Sequence, residues 1–365
     1  MAKKITLFVF TVILGASLVS LALAEGATLT AVKVAAGPTL DGTGTDAAWG
    51  EATALAVPVS GGKIGDVDVT LKAVYDDNNI YMLLKWADST MSIDKNLWEY
   101  DGSAWSKSGN EDRFGIIWDL GVTGFAEQGC MVTCHADGMR TNADGEFADE
   151  WHWKAARSNP MSYSDDKYID NTYEEGDVEA GHHGDGGDST YKDNKNEAGD
   201  GPAYTWAGTP SALPGVPAEL ASHFLLDSEK AEITAPAAGD KVPGYLLRNP
   251  GGSRADVKSY GVWANGTWTV EVQRALDTGA NATKDGAKVD QVFTPGGTYH
   301  FGLAVMDDTG SNHSVAARPI ALNLSAGAPA ELPVSGAVAF PLAAVAIAGG
   351  LVAVGAGLVL RRKRG

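Results

Sequence analysis

The chain contains few cysteines, few basic residues and none of the common catalytic motifs. It has two cysteines among 365 residues, and 28 Lys and Arg stand against 46 Asp and Glu. The resulting net charge of −18 excludes nucleic acid as a partner, because an acidic surface repels phosphate. The sequence also lacks a Gly-x-Ser-x-Gly elbow, a phosphate-binding glycine loop and a His-Glu-x-x-His helix. We therefore expect a protein that is not itself an enzyme.

Both cysteines lie in one short segment, 130–135, which reads Cys-Met-Val-Thr-Cys-His. Two thiols followed directly by an imidazole are what covalent attachment of a c-type haem requires, since the thiols add to the porphyrin vinyl groups and the imidazole ligates the iron. The common form of this motif has two residues between the cysteines. Here there are three, so the loop must bulge by one residue. The segment predicts one haem c, held by Cys130 and Cys134, with His135 as the proximal iron ligand.

Two other uses of this segment remain open. Cys130 and Cys134 are close enough in sequence to form a small disulfide loop. Alternatively, the two thiolates and His135 supply three ligands of a zinc site, although no clear fourth ligand lies nearby in the sequence. The haem interpretation is favoured because it explains the histidine.

The N-terminus has the features of an export signal. Residues 1–24 begin with Lys3 and Lys4, continue through an apolar run and end in Ala-Leu-Ala. This pattern predicts a secretory signal peptide cleaved before Glu25, and an uncleaved N-terminal anchor is the alternative. Either interpretation predicts an exported protein.

The C-terminus predicts attachment to the cell envelope. Residues 336–360 carry no charge and are followed by Arg-Arg-Lys-Arg. They predict one transmembrane helix, with residues 361–365 as a basic cytoplasmic tail and the body of the protein outside the membrane. The preceding Leu-Pro-Val-Ser-Gly at 332–336 also resembles a sortase sorting signal, so cell-wall attachment is the alternative.

The exported body, residues 25–335, is strongly acidic. Without the two signal lysines and the four tail cations it has 22 basic residues against 46 acidic ones, a net charge of about −24. Such a surface suits a basic redox partner protein. The alternative is that the acidity serves solubility and specifies no partner.

The body is predicted to be mainly β, in two blocks separated by a long insertion. Alternating apolar residues and turn dipeptides predict strands at 67–75, 80–86, 113–119, both arms of 262–272 around Asn265-Gly266, and 298–306. The insertion, residues 121–256, carries the haem motif near its start. Its acidic, glycine-rich stretch 168–201 predicts a weakly ordered surface loop, in which His182 and His183 are solvated and have no role.

The segment 149–157 is predicted to be a helix that forms one wall of the haem pocket. It begins with acids, has a base toward its end and is closed by Asn159-Pro160. In this interpretation Trp151 and Trp153 pack on the porphyrin, while Lys154 and Arg157 pair with its propionates. The alternative is that the tryptophans are ordinary core residues and the cations ordinary surface residues.

Several short motifs resemble those of a known family. They are Leu40-Asp41-Gly42 with Asp46 and Trp49, Val74-Tyr75-Asp76 with Ile80-Tyr81, Lys85-Trp86-Ala87-Asp88, Glu111-Asp112-Arg113, Trp151-His152-Trp153-Lys154, and Gly266-Thr267-Trp268 running to Arg274. The pattern, which spans roughly residues 29–324, is similar to the haem-binding domain of the ethylbenzene dehydrogenase gamma-subunit family. The resemblance implies an antiparallel, DOMON-like β-sandwich that holds one haem, with the covalent motif in an inserted loop and helix region.

The same resemblance suggests the second axial ligand and the partners. Family members with noncovalent haem use a methionine and a lysine, and His313 falls close to the lysine position. His313 is therefore the first candidate for the distal iron ligand, His152 is the second, and Met161 is an outside candidate. The family passes electrons from molybdenum enzymes, which implies either a subunit of such a complex or a free electron carrier. A carbohydrate- or ligand-binding envelope module with a Cys130–Cys134 disulfide is the remaining alternative.

Overall fold

The structure is a computed structural model, and it describes residues 26–135, 138–172, 181–213, 216–279, 283–284 and 286–327. The predicted signal peptide at 1–24, the predicted transmembrane helix at 336–360 and the basic tail at 361–365 lie outside these residues. Among the described residues, no helix has the length and apolar character needed to cross a membrane.

The described residues form many strands and only short helices. The strands are β1 (Thr28–Lys33), β2 (Leu55–Ser60), β3 (Val67–Tyr75), β4 (Asn79–Ala87), β5 (Leu97–Tyr100), β6 (Trp105–Ser108), β7 (Arg113–Asp119), β8 (Cys134–His135), β9 (Gly138–Met139), β10 (Ala148–Lys154), β11 (Asp165–Ile169), β12 (His182–Gly184), β13 (Tyr191–Asp193), β14 (Tyr204–Trp206), β15 (Leu225–Leu226), β16 (Lys230–Glu232), β17 (Lys241–Val242), β18 (Tyr245–Leu247), β19 (Lys258–Ala264), β20 (Thr267–Ala275), β21 (Thr283–Lys284), β22 (Ala287–Lys288), β23 (Thr298–Met306), β24 (Ser314–Ala316) and β25 (Ile320–Leu324).

The helical segments are all one or two turns long. The α-helices are α1 (Ala48–Glu51) and α2 (Phe125–Gln128), and the 3₁₀ segments are Gly129–Thr133, Asn159–Met161, Ala218–His223, Asp227–Glu229 and Gly252–Ala255. The second of these 3₁₀ segments follows the stretch predicted to be a helix. That prediction was wrong, because residues 148–154 form strand β10.

The sandwich consists of one continuous 13-stranded sheet folded into two layers. Its order is β12-β11-β10-β7-β23-β24-β2-β3-β4-β20-β19, and β1 and β25 join the two halves at a second place. The pairing is antiparallel except for β1, which pairs in parallel with both β25 and β3. The predicted antiparallel β-sandwich is confirmed in architecture, with this one parallel strand as a correction.

Aromatic side chains fill the space between the layers. Trp86 on β4 packs edge-on against Phe114 on β7 and Trp153 on β10, with ring centroids 6.5 and 6.0 Å apart. Trp153 also meets Trp268 on β20 at 4.9 Å. Because these strands belong to opposite layers, the contacts fix the layers face to face, and aromatic pairs of this geometry each add about 0.5–1.5 kcal/mol beyond burial.

The predicted strands agree closely with the observed ones. Strands β7 and β23 have the predicted bounds, and the hairpins β3–β4 and β19–β20 turn where the Asp-Asn and Asn-Gly sequences predicted. The stretch 168–201 is more regular than predicted, because its described residues include β12 and β13. Residues 173–180 lie outside the described part.

Candidate functional site

A cavity of about 500 Å³ lies on the outer face of one layer, under the beginning of the insertion. Its walls come from β7, β10, β11, β12, β23, the turn before β24, and residues of the stretches 130–135 and 138–139. Cavities of roughly 300–1,000 Å³ are typical of cofactor and ligand sites. Both cysteines and four of the seven histidines line it, namely Cys130, Cys134, His135, His152, His182 and His313.

Alternate side chains of three neighbouring strands form the floor of the cavity. The side chains that face it are Arg113, Gly115 and Ile117 on β7, Glu150, His152 and Lys154 on β10, and Gly302, Ala304 and Met306 on β23. The antiparallel register aligns them in rows, one of which runs His152, Gly115, Ala304. The residues between them face the aromatic core instead. Successive side chains of a strand point to opposite faces, so one strand serves both the core and the cavity.

Small residues keep the centre of this floor open. A Cβ atom at Gly115 would meet only Glu150 Oε1, at 3.9 Å, so it would project into the cavity. A Cβ atom at Gly302 would lie 2.4 Å from Cys130 Sγ, so the absence of a side chain there lets the cysteine pack directly on β23. The two glycines therefore do different work: one leaves space in the cavity, and the other seats a cysteine.

The segment that covers the cavity positions the two thiols. Cys130 lies in the 3₁₀ segment Gly129–Thr133 and is buried, while Cys134 begins β8 and is exposed. The Thr133 hydroxyl donates to the Cys130 carbonyl at 2.7 Å, which closes the turn. Both cysteines are free thiols in the structure. Burial raises the pKa of Cys130 to about 12 and also raises the pKa of Cys134, so both thiols are neutral.

The geometry of this segment disfavours the zinc alternative. A zinc site needs three or four ligand atoms that meet at one ion. Among the described residues, groups of three possible metal ligands at mutual coordination distance consist of aspartates, and no cysteine or histidine belongs to them. The Cys130, Cys134, His135 set does not converge on one point in the way a zinc ion requires.

Three imidazoles present a nitrogen that is free to act as a ligand. Nε2 of His135 and Nε2 of His152 are buried and have no hydrogen-bond partner among the described residues. Burial and the charge of Lys154 lower the pKa of His152 to about 3, so this imidazole is neutral. His313 donates Nδ1–H to the Ser311 carbonyl at 2.9 Å. That hydrogen bond leaves Nε2 of His313 with a lone pair, which is the usual arrangement of a metal-ligating histidine.

His182 also lines the cavity, contrary to the prediction that it is a solvated loop residue. Its Nε2 contacts the Glu150 carboxylate and lies 3.1 Å from Lys167 Nζ. Glu150 is buried, which opposes its charge, yet its pKa lies well below the usual value because His182 and His152 favour the carboxylate. His183 contacts Asp170 at 3.0 Å and is not among the cavity-lining residues.

One end of the cavity is rich in cations held by buried carboxylates. Glu111 accepts from Arg157 Nε at 2.6 Å and lies 3.4 Å from Arg113 Nε, so two guanidinium groups share one carboxylate. Lys154 forms an ion pair with the buried carboxylate of Asp165. Lys154 and Arg157 were predicted to lie in the pocket, and the structure places both there, with Arg113 as a third cation that was not predicted. Their shared carboxylates leave this end with an excess of positive charge.

Trp151 and Trp153 do not lie in the cavity. Both are fully buried in the aromatic core on the opposite face of β10. The prediction that they pack on a porphyrin rested on a helical pocket wall, and it fails because the segment is a strand whose alternation turns both tryptophans toward the core. Met161 is also absent from the cavity lining, since it packs against the main core, whereas Met131, Met139 and Met306 line the cavity.

The donor set fits a covalently held haem. The cavity combines two neutral thiols, unpartnered imidazole nitrogens on His135 and His152, and a glycine at position 115 where a side chain would intrude. The cationic end matches two propionates, which Arg and Lys bind through charge-assisted hydrogen bonds. The exposed side chain of Met131, 51% accessible, marks the open side of the cover.

Fold and site together define a β-sandwich protein with a cofactor-sized cavity built between one sheet face and an inserted cover. Residues 46–318 match the family model described as ethylbenzene dehydrogenase, and the chain belongs to this family. The resemblance inferred from the short sequence motifs is thereby confirmed at the level of the family.

Similar solved structures include two carbohydrate-binding proteins. A carbohydrate binding module of family 9 from Caldicellulosiruptor kristjanssonii, in complex with glucose, has 10% identity and a TM-score of 0.34, with 84% of this chain and 99% of that chain covered. A putative carbohydrate-binding protein from Bacteroides uniformis ATCC 8492 has 8% identity and a TM-score of 0.35, with 82% and 100% covered. No curated protein matches the chain.

Proposed function

We propose that this protein is an exported, envelope-anchored monohaem c-type cytochrome that carries single electrons outside the cytoplasmic membrane. The observation that supports the proposal is the meeting of both cysteines, His135 and His313 in one cavity of cofactor size. When bound, haem c supplies a one-electron iron couple. The side chains of the cavity bind the group, orient it and limit its contact with water.

Each side chain has a distinct task in this proposal. Cys130 and Cys134 form the thioether links, and His135 supplies the proximal imidazole. Lys154 and Arg157 pair with the propionates at the cationic end of the cavity. Gly302 seats Cys130 on β23, and the apolar groups around that cysteine hold the cover on the sheet.

His313 is the proposed distal ligand. Its Nδ1–H is committed to the Ser311 carbonyl, so Nε2 is the nitrogen left to ligate. His152 remains the second candidate, although its place in the floor row also suits a positioning residue beside Glu150. With His135 and His313 as its protein ligands, the haem would favour its oxidised state, so its potential should lie below that of a His/Met cytochrome.

Membership of the ethylbenzene dehydrogenase family favours a redox partner. A molybdenum enzyme of which this chain is the electron-transfer subunit is one candidate, and a membrane electron-transfer chain served by a free carrier is the other. Purification of the native protein distinguishes a subunit of such an enzyme from a free carrier. A subunit copurifies with a large catalytic chain at constant ratio through successive columns, whereas a free carrier elutes alone.

The haem itself is tested by two measurements on protein matured in a host that attaches haem c. The pyridine haemochrome spectrum should show the c-type α band, and the intact mass should exceed that of the processed chain by one haem. The double variant Cys130→Ala, Cys134→Ala should lose the covalent haem, and a His300→Ala variant, outside the cavity lining, should keep it. Unmodified mass together with a Cys130–Cys134 disulfide would establish the ligand-binding module instead.

The distal ligand is tested by replacing His313 and His152 separately by Ala. Low-temperature spin-state spectra should show conversion from low-spin to high-spin iron for His313→Ala only. His223→Ala is the matched control, because His223 lies outside this cavity and pairs with Asp94. Conversion by His152→Ala alone would reverse the two assignments.

A further inference from the structure

A cluster of three buried aspartates lies behind the floor of the cavity. Asp166 on β11, Asp185 after β12 and Asp290 before β23 each place a carboxylate oxygen within 4.8 Å of the other two. Asp166 alternates with the cavity-lining Lys167, so it points to the opposite face of the sheet. The group is therefore separate from the proposed haem site, although it shares a strand with it.

These carboxylates are buried and largely unpartnered. Asp166, Asp290 and Asp185 are 0, 1 and 4% exposed. Both oxygens of Asp166, both oxygens of Asp290 and Oδ1 of Asp185 have no hydrogen-bond partner among the described residues. Burying a carboxylate is strongly unfavourable unless it is paired, protonated or bound to a cation. Three buried carboxylates that each place an oxygen close to the other two, with few hydrogen-bond partners among the described residues, point to a missing positive charge.

Nearby cations do not supply enough charge. Arg274 donates to Asp149 at 2.6 Å and lies 3.8 Å from Asp290. Arg254 is the next guanidinium, and it is paired with Asp165 at 3.2 Å on the cavity side. Burial and mutual repulsion raise the pKa of Asp166 well above its usual value, which is the expected behaviour of an uncompensated acidic group.

We propose that Asp166, Asp185 and Asp290 bind a calcium ion. The donors are all oxygens, which suits a hard cation and disfavours zinc or copper. Magnesium usually keeps several of its waters and is seldom held by an all-protein cage, whereas three buried carboxylates from separate segments form such a cage, which favours calcium.

The ion would join three segments that are distant in sequence. It would link β11, the loop after β12 and the segment before β23, and the Ser253 hydroxyl already holds Asp185 from outside the group at 2.5 Å. Because Asp185 follows His182 by three residues, the ion would also steady the strand that carries this cavity-lining imidazole. Its expected role is therefore to position the cavity wall, with no part in electron transfer.

The test uses the full-length purified protein after dialysis against a chelator. Calorimetric titration with CaCl₂ should show one site, and roughly 10 mM calcium should raise the melting temperature by about 5 °C, as expected for a module with millimolar to submillimolar affinity. Asp166→Asn and Asp290→Asn should abolish both effects. In chelator, each variant should melt no lower than the wild type, because a repelling charge has been removed. Glu197→Gln, an exposed acid, is the matched control and should keep the full calcium shift.

Three outcomes overturn the proposal. The first is no calcium heat in the wild type together with a melting temperature that rises on acidification alone, which would show that protons compensate the acids. The second is an equal shift from MgCl₂. The third is an undiminished calcium shift in both Asn variants. If one variant fails to fold, the other variant and the wild-type titration still decide.

Discussion

Replacing Gly302 by Ala tests whether Cys130 is seated on β23 as the structure shows. The new Cβ atom would lie 2.4 Å from Cys130 Sγ and 2.5 Å from its Cβ, whereas ordinary contact begins at 3.4 Å. Cys130 must therefore retreat by about 1 Å from the sheet. Overpacking of this kind costs about 1–3 kcal/mol of unfolding free energy. The backbone of Gly302 is not in the left-handed region, so the loss would come from the contact and not from strain.

Gly115→Ala is the matched control. Gly115 faces the same cavity from the neighbouring strand, and the nearest atom to its new Cβ would be Glu150 Oε1 at 3.9 Å. Without a clash, the change in unfolding free energy should stay within about 0.5–1 kcal/mol, the range of ordinary Gly-to-Ala substitutions. Urea denaturation followed by tryptophan fluorescence measures both variants, since ten tryptophans report on the core.

The comparison has a second readout in the thioether bond. Haem-stained denaturing gels should show a lower fraction of covalently loaded Gly302→Ala protein, because the thiol has been moved from its seat. Wild-type stability of Gly302→Ala, together with wild-type loading, would refute the proposed packing of Cys130 and the placement of the cover that depends on it.

Three further predictions concern side chains that hold the sandwich together. Glu111→Gln should cost about 3–5 kcal/mol in urea unfolding, because it leaves two buried arginines without their carboxylate. Asn159→Ala should cost about 2–4 kcal/mol, since the amide bonds both the N–H and the carbonyl of buried Gly261, and wild-type stability by calorimetry would contradict this. Asp94→Asn should lower stability by at most about 1 kcal/mol at pH 5 and by nothing at pH 9. The hydrogen bond to Asp94 raises the pKa of His223 above its usual 6.5, so this stabilisation is present below that pH and is lost as pH rises through the folded pKa.

Local sequence patterns were sufficient to predict part of the sandwich, namely the hairpins β3–β4 and β19–β20 and the strands β7 and β23. The hairpin β3–β4 carries a clear apolar alternation around an Asp-Asn turn, and β19–β20 turns at Asn265-Gly266, so each hairpin is specified by neighbouring residues. The cysteine segment and His313, which the haem interpretation brings together, line the same cavity.

The segment 149–157 shows why the pocket wall was mispredicted. Acids at its start and a base toward its end satisfy the rules for a helix, while Trp-His-Trp-Lys also satisfies the alternation of a strand. The pairing of β10 with both β7 and β11 decides the matter, and such long-range pairing is not visible in a local window. Strand alternation, once chosen, would have assigned Glu150, His152 and Lys154 to one face and the tryptophans to the other.

Other site residues came from distant parts of the chain and had no local signal. His182 lies 32 residues after Glu150 in sequence but contacts its carboxylate through the β10–β11–β12 pairing. Asp166, Asp185 and Asp290 come from three separate segments of the chain. Only the folded sheet shows that their carboxylates lie close together. A search for metal-ligand spacing along the sequence cannot find a site of this kind.

The insertion changes what the outer face of the sheet can do. In a sandwich with one solvated face, the strands alternate apolar residues toward the core with polar residues toward water. Here Ile117 and Ala148 occupy outward positions, and they pack with Phe125 and Cys130 of the insertion into a second apolar cluster. This second cluster therefore holds the cover on the sheet. It lies beside Arg113 and the two glycines of the cavity floor, Gly115 and Gly302. A polar substitution at Ile117 should consequently loosen the cover, while the aromatic core between the layers stays intact. The cover can therefore open locally at a lower free energy than is needed to unfold the sandwich.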